Sequence, residues 1–197
     1  MRHEAPLRIL FAGTPEIAVP SLRRLAELSK RESDRFPIVG LLTNPDRPAG
    51  RGNGVTAPPT KIIAEENGIP VLQPAKLDAS ARDAVAVLQP DLLVVVAYGR
   101  IFGPKFLDLF PEGGINLHPS KLPQFRGPSP LQAAILAGAS ETGITIQRLA
   151  REMDAGDILQ QERLPLSPRE TIENLHDRAA TRGAQMLEET VRAIADG

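Results

Sequence analysis

Cysteine is absent from this chain of 197 residues, and histidine occurs only three times. Without thiols the protein can form no disulfide, use no thiolate nucleophile and build no Cys-based zinc site. The scattered histidines argue against a histidine-rich metal cluster. The 23 Lys and Arg nearly balance the 24 Asp and Glu, and a net charge of −1 argues against a general nucleic-acid coat protein. No apolar run approaches the ~20 residues of a membrane span, so we expect a soluble, cytoplasmic protein.

Strand-like and helical segments alternate along the chain, whose length fits one domain. The strand-like segments are residues 7–12, 36–43, 71–73, 91–97, 115–118 and 143–148. Helical periodicity follows Pro15 and recurs at residues 60–66, 79–88 and 171–194. Strands that alternate with helices pair in parallel through right-handed crossovers. We therefore predict an α/β fold, with an open, mostly parallel sheet and helices on both faces.

Two segments interrupt this alternation. The first proline-rich segment, residues 44–59, contains four Pro, three Gly and two Arg. The second proline-rich segment, residues 119–130, has the sequence PSKLPQFRGPSP. Loops of this size in a compact domain are more often functional than mere connections, so both segments are candidate parts of a site.

A polar pair, Asn116 and His118, ends the strand that precedes the second proline-rich segment. Residues i and i+2 of a strand point to the same face, so both side chains can reach one point. The carboxyl edge of an open α/β sheet is where ligands bind. An amide beside an imidazole that donates when protonated suits a carbonyl oxygen that acquires negative charge. Spacing alone fits an ordinary strand-edge histidine beside a satisfied asparagine equally well.

An acidic turn, EMDAGD, occupies residues 152–157. Gly156 permits a tight turn there, and a carboxylate on the turn could lie beside His118 and keep the imidazole charged. A solvated acidic turn without any function explains the same residues.

Two other features carry less signal. The first strand-to-helix turn, FAGTPE at residues 11–16, has one of the three glycines that a dinucleotide fingerprint needs, so we expect a plain helix start. His176 falls on the last helix, where a surface or boundary position is expected rather than a ligand role.

Three motifs together resemble the folate-dependent formyltransferases. The NLH at residues 116–118 matches the family's Asn-x-His, and HPSKLP at 118–123 with Arg126-Gly127 matches its proline-containing loop. The MDAGD at 153–157 matches its Asp-x-Gly-Asp turn. Within the family, FAGTPE and the NPDRPAGRG of the first proline-rich segment, with KIIA after it, resemble the branch that formylates methionyl-tRNA. The resemblance covers essentially the whole chain.

This resemblance implies a set of site residues. Asn116, His118 and Asp154 are expected to be catalytic. The formyl donor, 10-formyltetrahydrofolate, is expected to lie along Tyr98, Gly99, Arg100, Ile101, Ser120, Lys121, Leu122 and Pro123. Arg47 and Arg51 are expected to meet the acceptor, initiator methionyl-tRNA, whose α-amine takes the formyl group for translation initiation. No metal, membrane or second copy of the chain is expected.

The resemblance also implies a domain organisation. Residues 1–197 are expected to form the catalytic domain, and the family's C-terminal β-barrel domain is expected to be absent. Two departures occur: Lys121 stands where Leu is usual, and Asn53-Gly54 stands where basic residues often follow. Three alternatives stay open. They are a formyltransferase for a sugar nucleotide or glycinamide ribonucleotide, a formyltetrahydrofolate hydrolase, and a catalytically silent α/β nucleotide-binding module.

Overall fold

The computed structural model describes residues 5–48 and 55–197 of the chain. In these two ranges it contains nine strands and six helices, with a 3-10 turn at Glu16–Ala18 before the first helix. The strands are β1 Ile9–Gly13, β2 Ile38–Leu42, β3 Arg47–Pro48, β4 Val55–Thr56, β5 Val71–Leu72, β6 Leu92–Val96, β7 Gly114–His118, β8 Glu141–Arg148 and β9 Ile158–Pro165. The helices are α1 Val19–Arg31, α2 Pro59–Glu66, α3 Ala79–Val87, α4 Pro104–Leu107, α5 Pro130–Leu136 and α6 Ile172–Asp196.

Seven of the strands form one sheet, in the order β5-β2-β1-β6-β7-β8-β9. Neighbouring strands from β5 to β7 are parallel, whereas β7, β8 and β9 pair antiparallel. The predicted open, mostly parallel sheet is therefore confirmed. Because the parallel strands run the same way, their carboxyl ends meet at one edge, which is where open α/β sheets bind ligands.

Helices cover both faces of this sheet, as predicted. Along β1, Ile9 and Phe11 pack into one hydrophobic cluster, while Leu10 and Ala12 pack into another. Alternate residues of a strand face opposite sides of the sheet, so the two clusters lie on its two faces. The first cluster includes residues of α1, α2, α5 and α6, and the second includes residues of α3 and α4.

The last helix, α6, packs on the sheet and on α1. Gly183 allows a close approach to β7, because a Cβ added there would lie 2.7 Å from a methyl carbon of Leu117. The helix therefore supports the strand that carries Asn116 and His118. Although α6 has 25 residues, neither it nor another helix in the described ranges is apolar enough to cross a membrane.

Several elements differ from the predicted pattern. β9 has eight residues, although the sequence shows only a short apolar stretch at its start. Its remaining residues are mostly polar because it is an edge strand and largely exposed. The short helices α4 and α5, which the pattern does not predict, each begin at a proline. The strand predicted from residue 36 begins at Ile38, because the N–H of Phe36 still bonds the carbonyl of Glu32.

Candidate active site

A cavity of about 580 Å³ opens at the carboxyl ends of β6 and β7. The second proline-rich segment and the acidic turn after β8 form two of its walls. Asn116, His118 and Asp154 all line it. The structure therefore brings together three side chains from two motifs, NLH and MDAGD, that lie far apart in the sequence.

His118 is held between two hydrogen-bond acceptors. Its Nδ1 lies 3.5 Å from Oδ1 of Asp154, and its Nε2 lies 2.9 Å from the backbone oxygen of Phe125. A neutral imidazole has one N–H and could donate to only one of them. A doubly protonated imidazolium has an N–H directed at each of them.

The carboxylate of Asp154 is held at both oxygens. Oδ2 accepts a hydrogen bond from the N–H of Gly127 at 2.8 Å, and Oδ1 accepts one from Nε2 of Gln147 at 3.2 Å. Asp154 has a φ of 52°, and Phe125, which contacts the other side of His118, has a φ of 54°. This left-handed conformation costs energy for a residue with a side chain and persists only where the surroundings enforce it. Both neighbours of His118 are thus placed by strained backbone.

Asn116 differs from the other two residues because its amide is not engaged. It is half-buried on β7 and pairs with Gln147 of β8 in the sheet register. Within residues 5–48 and 55–197 its side chain makes no hydrogen bond. The amide N–H groups of Asn116 are therefore free to donate to a ligand in the cavity.

Four of the predicted folate residues, Tyr98, Gly99, Arg100 and Ile101, line the cavity. The Tyr98 ring stacks on Phe102 with centroids 5.3 Å apart, and burial raises the pKa of its phenol. Arg100 donates to the backbone oxygens of Pro74 and Ala75 at 2.9 Å, which fixes its position beside the Tyr98 ring. Ile101 is 75% exposed at this wall, and Met153 is 55% exposed on the acidic turn. The cavity thus has apolar groups at two of its walls.

The other four predicted folate residues, Ser120, Lys121, Leu122 and Pro123, do not line this cavity. The hydroxyl of Ser120 donates to Gln124 O at 2.6 Å, and Lys121 pairs with Glu141 at 3.0 Å. The N–H of Leu122 donates to a threonine hydroxyl of β8. The bonds of Lys121 and Leu122 hold the second proline-rich segment against β8, and that of Ser120 closes a turn within the segment, so the polar groups of these three residues are engaged outside the cavity.

The two predicted tRNA residues lie on the first proline-rich segment. Arg47 is exposed on β3, which pairs with β4 in a two-stranded ribbon outside the cavity. Arg51 lies outside the described residues. Arg47 therefore does not share the cavity that Asn116, His118 and Asp154 line.

The base of this segment is fixed by side-chain hydrogen bonds. Asn44 donates to the hydroxyl of Thr14 at 3.0 Å and to the backbone oxygen of Tyr98 at 3.1 Å. Asp46 accepts from Gln73 at 2.6 Å and pairs with Lys61 at 2.8 Å, and these two donors hold the pKa of its carboxyl below the usual value. The FAGTPE turn thus serves as an anchor for the first proline-rich segment.

Several residues at the cavity are not predicted from the sequence. Phe125 acts through its backbone oxygen, which carries no residue-type signal, and Gly127, although part of the quoted loop motif, acts through its backbone N–H. Gln147 is buried and contacts Asp154. His176, which the sequence places at a helix surface or boundary, also lines the cavity. For Gln147 the sequence offers one signal: residues alternate between the two faces of β8, so Thr145 and Gln147 lie on the same face.

No group of three or more His, Asp or Glu in the part of the chain that the structure describes could hold a metal ion. The catalytic candidates are one amide, one imidazole and one carboxylate, which line a cavity at the carboxyl edge of an α/β sheet. These groups suit acyl-type transfer, in which charge develops on a carbonyl oxygen.

Comparison with known proteins agrees with this class of site. The formyl transferase family model matches residues 7–191, and the chain belongs to that family. Methionyl-tRNA formyltransferase of Geobacter sulfurreducens is 42% identical over 194 residues, covering 98% of this chain and 59% of the relative. The Treponema denticola protein of the same name is 48% identical over 177 residues, covering 86% of this chain and 53% of the relative. The chain thus spans a little over half the length of these curated relatives.

Solved structures show the same fold. Phosphoribosylglycinamide formyltransferase of Anaplasma phagocytophilum superposes with a TM-score of 0.79 at 26% identity, covering 96% of this chain and 86% of that one. Glycinamide ribonucleotide transformylase 1 of Symbiobacterium toebii gives a TM-score of 0.80 at 21% identity, covering 98% of this chain and 89% of that one. The sheet and helices described above are therefore an arrangement shared with other formyltransferases.

Proposed function

We propose that this chain transfers a formyl group from 10-formyltetrahydrofolate to the α-amine of methionyl initiator tRNA, for translation initiation. The convergence of Asn116, His118 and Asp154 on one cavity carries the proposal. The names of the relatives support the choice of acceptor. Because that acceptor is made in the cytoplasm, the proposal locates the enzyme there.

The cavity suits the folate donor in size and in chemistry. Its volume of about 580 Å³ lies within the range of small-molecule sites. The folate ring system and its aromatic linker are flat, and Ile101 and Met153 offer apolar contacts on two walls. We assign the donor to this cavity on those grounds.

Asn116 and His118 would stabilise the charge that develops during transfer. The donor supplies a formyl carbon bonded to nitrogen, and attack by the acceptor amine places negative charge on the formyl oxygen. The unengaged amide of Asn116 can donate to that oxygen, and an imidazolium at His118 supplies positive charge beside it. In other enzymes, removal of one such hydrogen-bond donor raises the activation free energy by about 3–4 kcal/mol.

Asp154 would keep His118 charged and assist proton movement. The attacking nitrogen gains a bond to the formyl carbon and must lose a proton, while the folate nitrogen loses that bond and must gain one. Asp154 lies within 3.5 Å of the imidazole and can relay this proton directly or through water. The proton count then closes without a metal or any further reactant.

Arg47 and Arg51 would contact the tRNA rather than the reacting groups. Arg47 is exposed on the ribbon, outside the cavity wall, and such a residue is free to meet phosphate. Each phosphate contact adds salt-dependent affinity without base specificity. The proposal therefore separates RNA binding from formyl transfer in space.

A transfer assay with three parallel reactions tests the proposal. Radiolabelled 10-formyltetrahydrofolate is supplied with charged initiator tRNA, with glycinamide ribonucleotide, or with no acceptor. We expect labelled formylmethionyl-tRNA in the first reaction alone. Transfer to glycinamide ribonucleotide instead would contradict the proposed acceptor, and release of formate without an acceptor would indicate a hydrolase. No product in any of the three would contradict the chemistry.

A further inference from the structure

Gln147 occupies an unusual position at the edge of the cavity. It lies on β8, is 2% exposed, and pairs with Asn116 in the register between β7 and β8. Its Nε2 donates to Oδ1 of Asp154, and its Oε1 accepts from the N–H of Gly156, each at 3.2 Å. One buried amide therefore bonds both ends of the turn from residue 154 to residue 156.

This turn needs such support because its backbone is strained. Asp154 is one of four non-glycine residues in the described ranges with a positive φ. Gly156 packs directly on β8, since a Cβ added to it would collide with the carbonyl oxygen of Arg148. A strained conformation relaxes unless surrounding contacts hold it in place. The two hydrogen bonds of Gln147 are contacts of that kind.

The oxygen that Gln147 bonds is the one that faces His118. Oδ1 of Asp154 lies 3.2 Å from Nε2 of Gln147 and 3.5 Å from Nδ1 of His118. Oδ2 is held separately by the N–H of Gly127. With a donor on each oxygen, the carboxylate plane is fixed, and Gln147 sets the side that meets the imidazole.

We propose that Gln147 is a positioning residue for formyl transfer, acting by holding Asp154 against His118. The role in formyl transfer rests on the proposed function, whereas the hold of Gln147 on Asp154 does not. Gln147 itself remains neutral and moves no proton. It acts through Asp154, so its contribution depends on the presence of that carboxylate.

A pair of matched glutamine variants tests the inference. Gln147→Met keeps the length of the side chain and removes both hydrogen bonds. Gln160→Met is the control, because Gln160 on the neighbouring strand β9 also makes two hydrogen bonds, to Glu189 and Thr190 of α6. We expect kcat to fall about 10- to 100-fold in Gln147→Met, with KM values within about threefold, because small misplacements of reacting groups have effects of this size. Gln160→Met should keep kcat within about twofold.

A double-mutant cycle separates positioning from general structural support. If Gln147 acts through Asp154, Gln147→Met should change kcat by less than about threefold in a background that already carries Asp154→Asn. The same fold loss in both backgrounds would overturn the inference. So would a Gln147→Met single variant with wild-type kcat.

Amide hydrogen exchange supplies a readout that needs no activity. Gln147→Met should speed exchange of the Gly156 N–H, which loses its acceptor, and of the Gly127 N–H, whose acceptor Asp154 is released. Gln147→Glu keeps an acceptor for Gly156 but no longer donates to Asp154, so Gly156 should stay protected while Gly127 does not. Unchanged protection of Gly127 in both variants would overturn the inference. If the wild-type chain transferred no formyl group, the proposed function would fail, while the exchange of these two amides would still report whether Gln147 holds Asp154.

Discussion

The two proline-rich segments leave the same edge of the sheet but are held in different ways. The second folds back on β7, the strand it leaves, and on the neighbouring β8: the backbone oxygen of Phe125 meets the His118 ring, and the N–H of Leu122 donates to a hydroxyl of β8. The first is held at its base, by Asn44 and Asp46, and then continues as the exposed β3–β4 ribbon. One segment is fixed along the cavity wall, whereas the other projects from a fixed base.

This difference matches two tasks that the proposed function sets. Chemistry on a formyl carbon needs groups placed to within a fraction of an ångström, which requires contacts on several sides of each group. A large acceptor such as tRNA needs exposed cations that reach its phosphates, and an anchored ribbon provides them. If the comparison holds, changes in the two segments should separate catalysis from RNA affinity.

The largest effect is expected when a candidate catalytic side chain beside the second proline-rich segment is removed. His118→Ala and Asp154→Asn should each lower kcat by about 10²–10³-fold, because each takes away charge stabilisation at the formyl oxygen. His118 ends β7 and Asp154 lies on the turn between β8 and β9, so the free energy of unfolding should fall by only about 1–3 kcal/mol, the cost of leaving a buried partner unpaired. Single-turnover formyl transfer with saturating donor and tRNA, together with urea unfolding, measures both quantities. Either variant with near-native turnover would refute the role assigned to that residue.

The next largest effect is expected from a change of backbone space in the acidic turn. Gly156→Ala places a methyl group against the carbonyl oxygen of Arg148, so the turn must move and carry Asp154 with it. We expect at least a tenfold loss of kcat, because a shift of about 1 Å in a reacting group can cost 10²-fold. Steady-state transfer kinetics measure the loss.

Gly103→Ala is the matched control for this change. Gly103 also has an ordinary φ, and an added Cβ would meet no heavy atom within 4 Å. It precedes α4 and does not line the cavity. Its kcat should match wild type, and an equal loss in both variants would mean that the acidic turn has no special place in catalysis.

The sequence predicts the placement of the candidate catalytic residues where the signals are local. Asn116 and His118 are two residues apart on a strand, and their shared face follows from strand geometry. For Asp154 the residues indicate only that a carboxylate of the acidic turn could lie beside His118, and the family motif selects Asp154 as that carboxylate, because a long stretch of chain separates it from β7. The parallel part of the sheet follows from strand–helix alternation, whereas the direction of β8 and β9 has no comparable signal.

The contacts that hold these residues in place could not be predicted. Phe125 contributes a backbone oxygen and Gly127 a backbone N–H, groups that nearly every residue type carries, so residue type does not reveal their contacts. The pairing of Gln147 with Asn116 depends on the register between β7 and β8, which the spacing of short strands leaves undetermined. Ser120 shows the converse, since its motif position implies a ligand contact while its hydroxyl bonds Gln124. Tertiary contacts, rather than residue type, decide these positions.

A smaller effect, on tRNA affinity, is expected from a change in the first proline-rich segment. Arg47→Ala should weaken binding of initiator tRNA a few-fold and lower the slope of log K against log salt by about 0.7–0.9, the contribution of one phosphate contact. Folate affinity should be unchanged because Arg47 lies outside the cavity. Filter binding between low and physiological salt measures the slope. Arg23→Ala, at an exposed arginine on α1, is the control; an equal change there would show that net charge, and not the ribbon, binds the RNA.

The smallest effect is expected from the anchor at the base of the first proline-rich segment. Hydrogen bonds from Gln73 and Lys61 lower the pKa of Asp46, so the folded state favours the carboxylate more than the unfolded state does. The resulting stabilisation is fully present above the ordinary Asp pKa of about 3.9 and is lost as the pH falls through the lowered folded value. Melting temperatures of wild type and Asp46→Asn should therefore differ by a constant amount from pH 7 to about pH 5, and converge in more acidic solution. Lys61→Met removes one of the two donors and should reproduce part of this pH dependence. A wild-type advantage that grows as the pH falls would have the opposite sign and would refute the anchor.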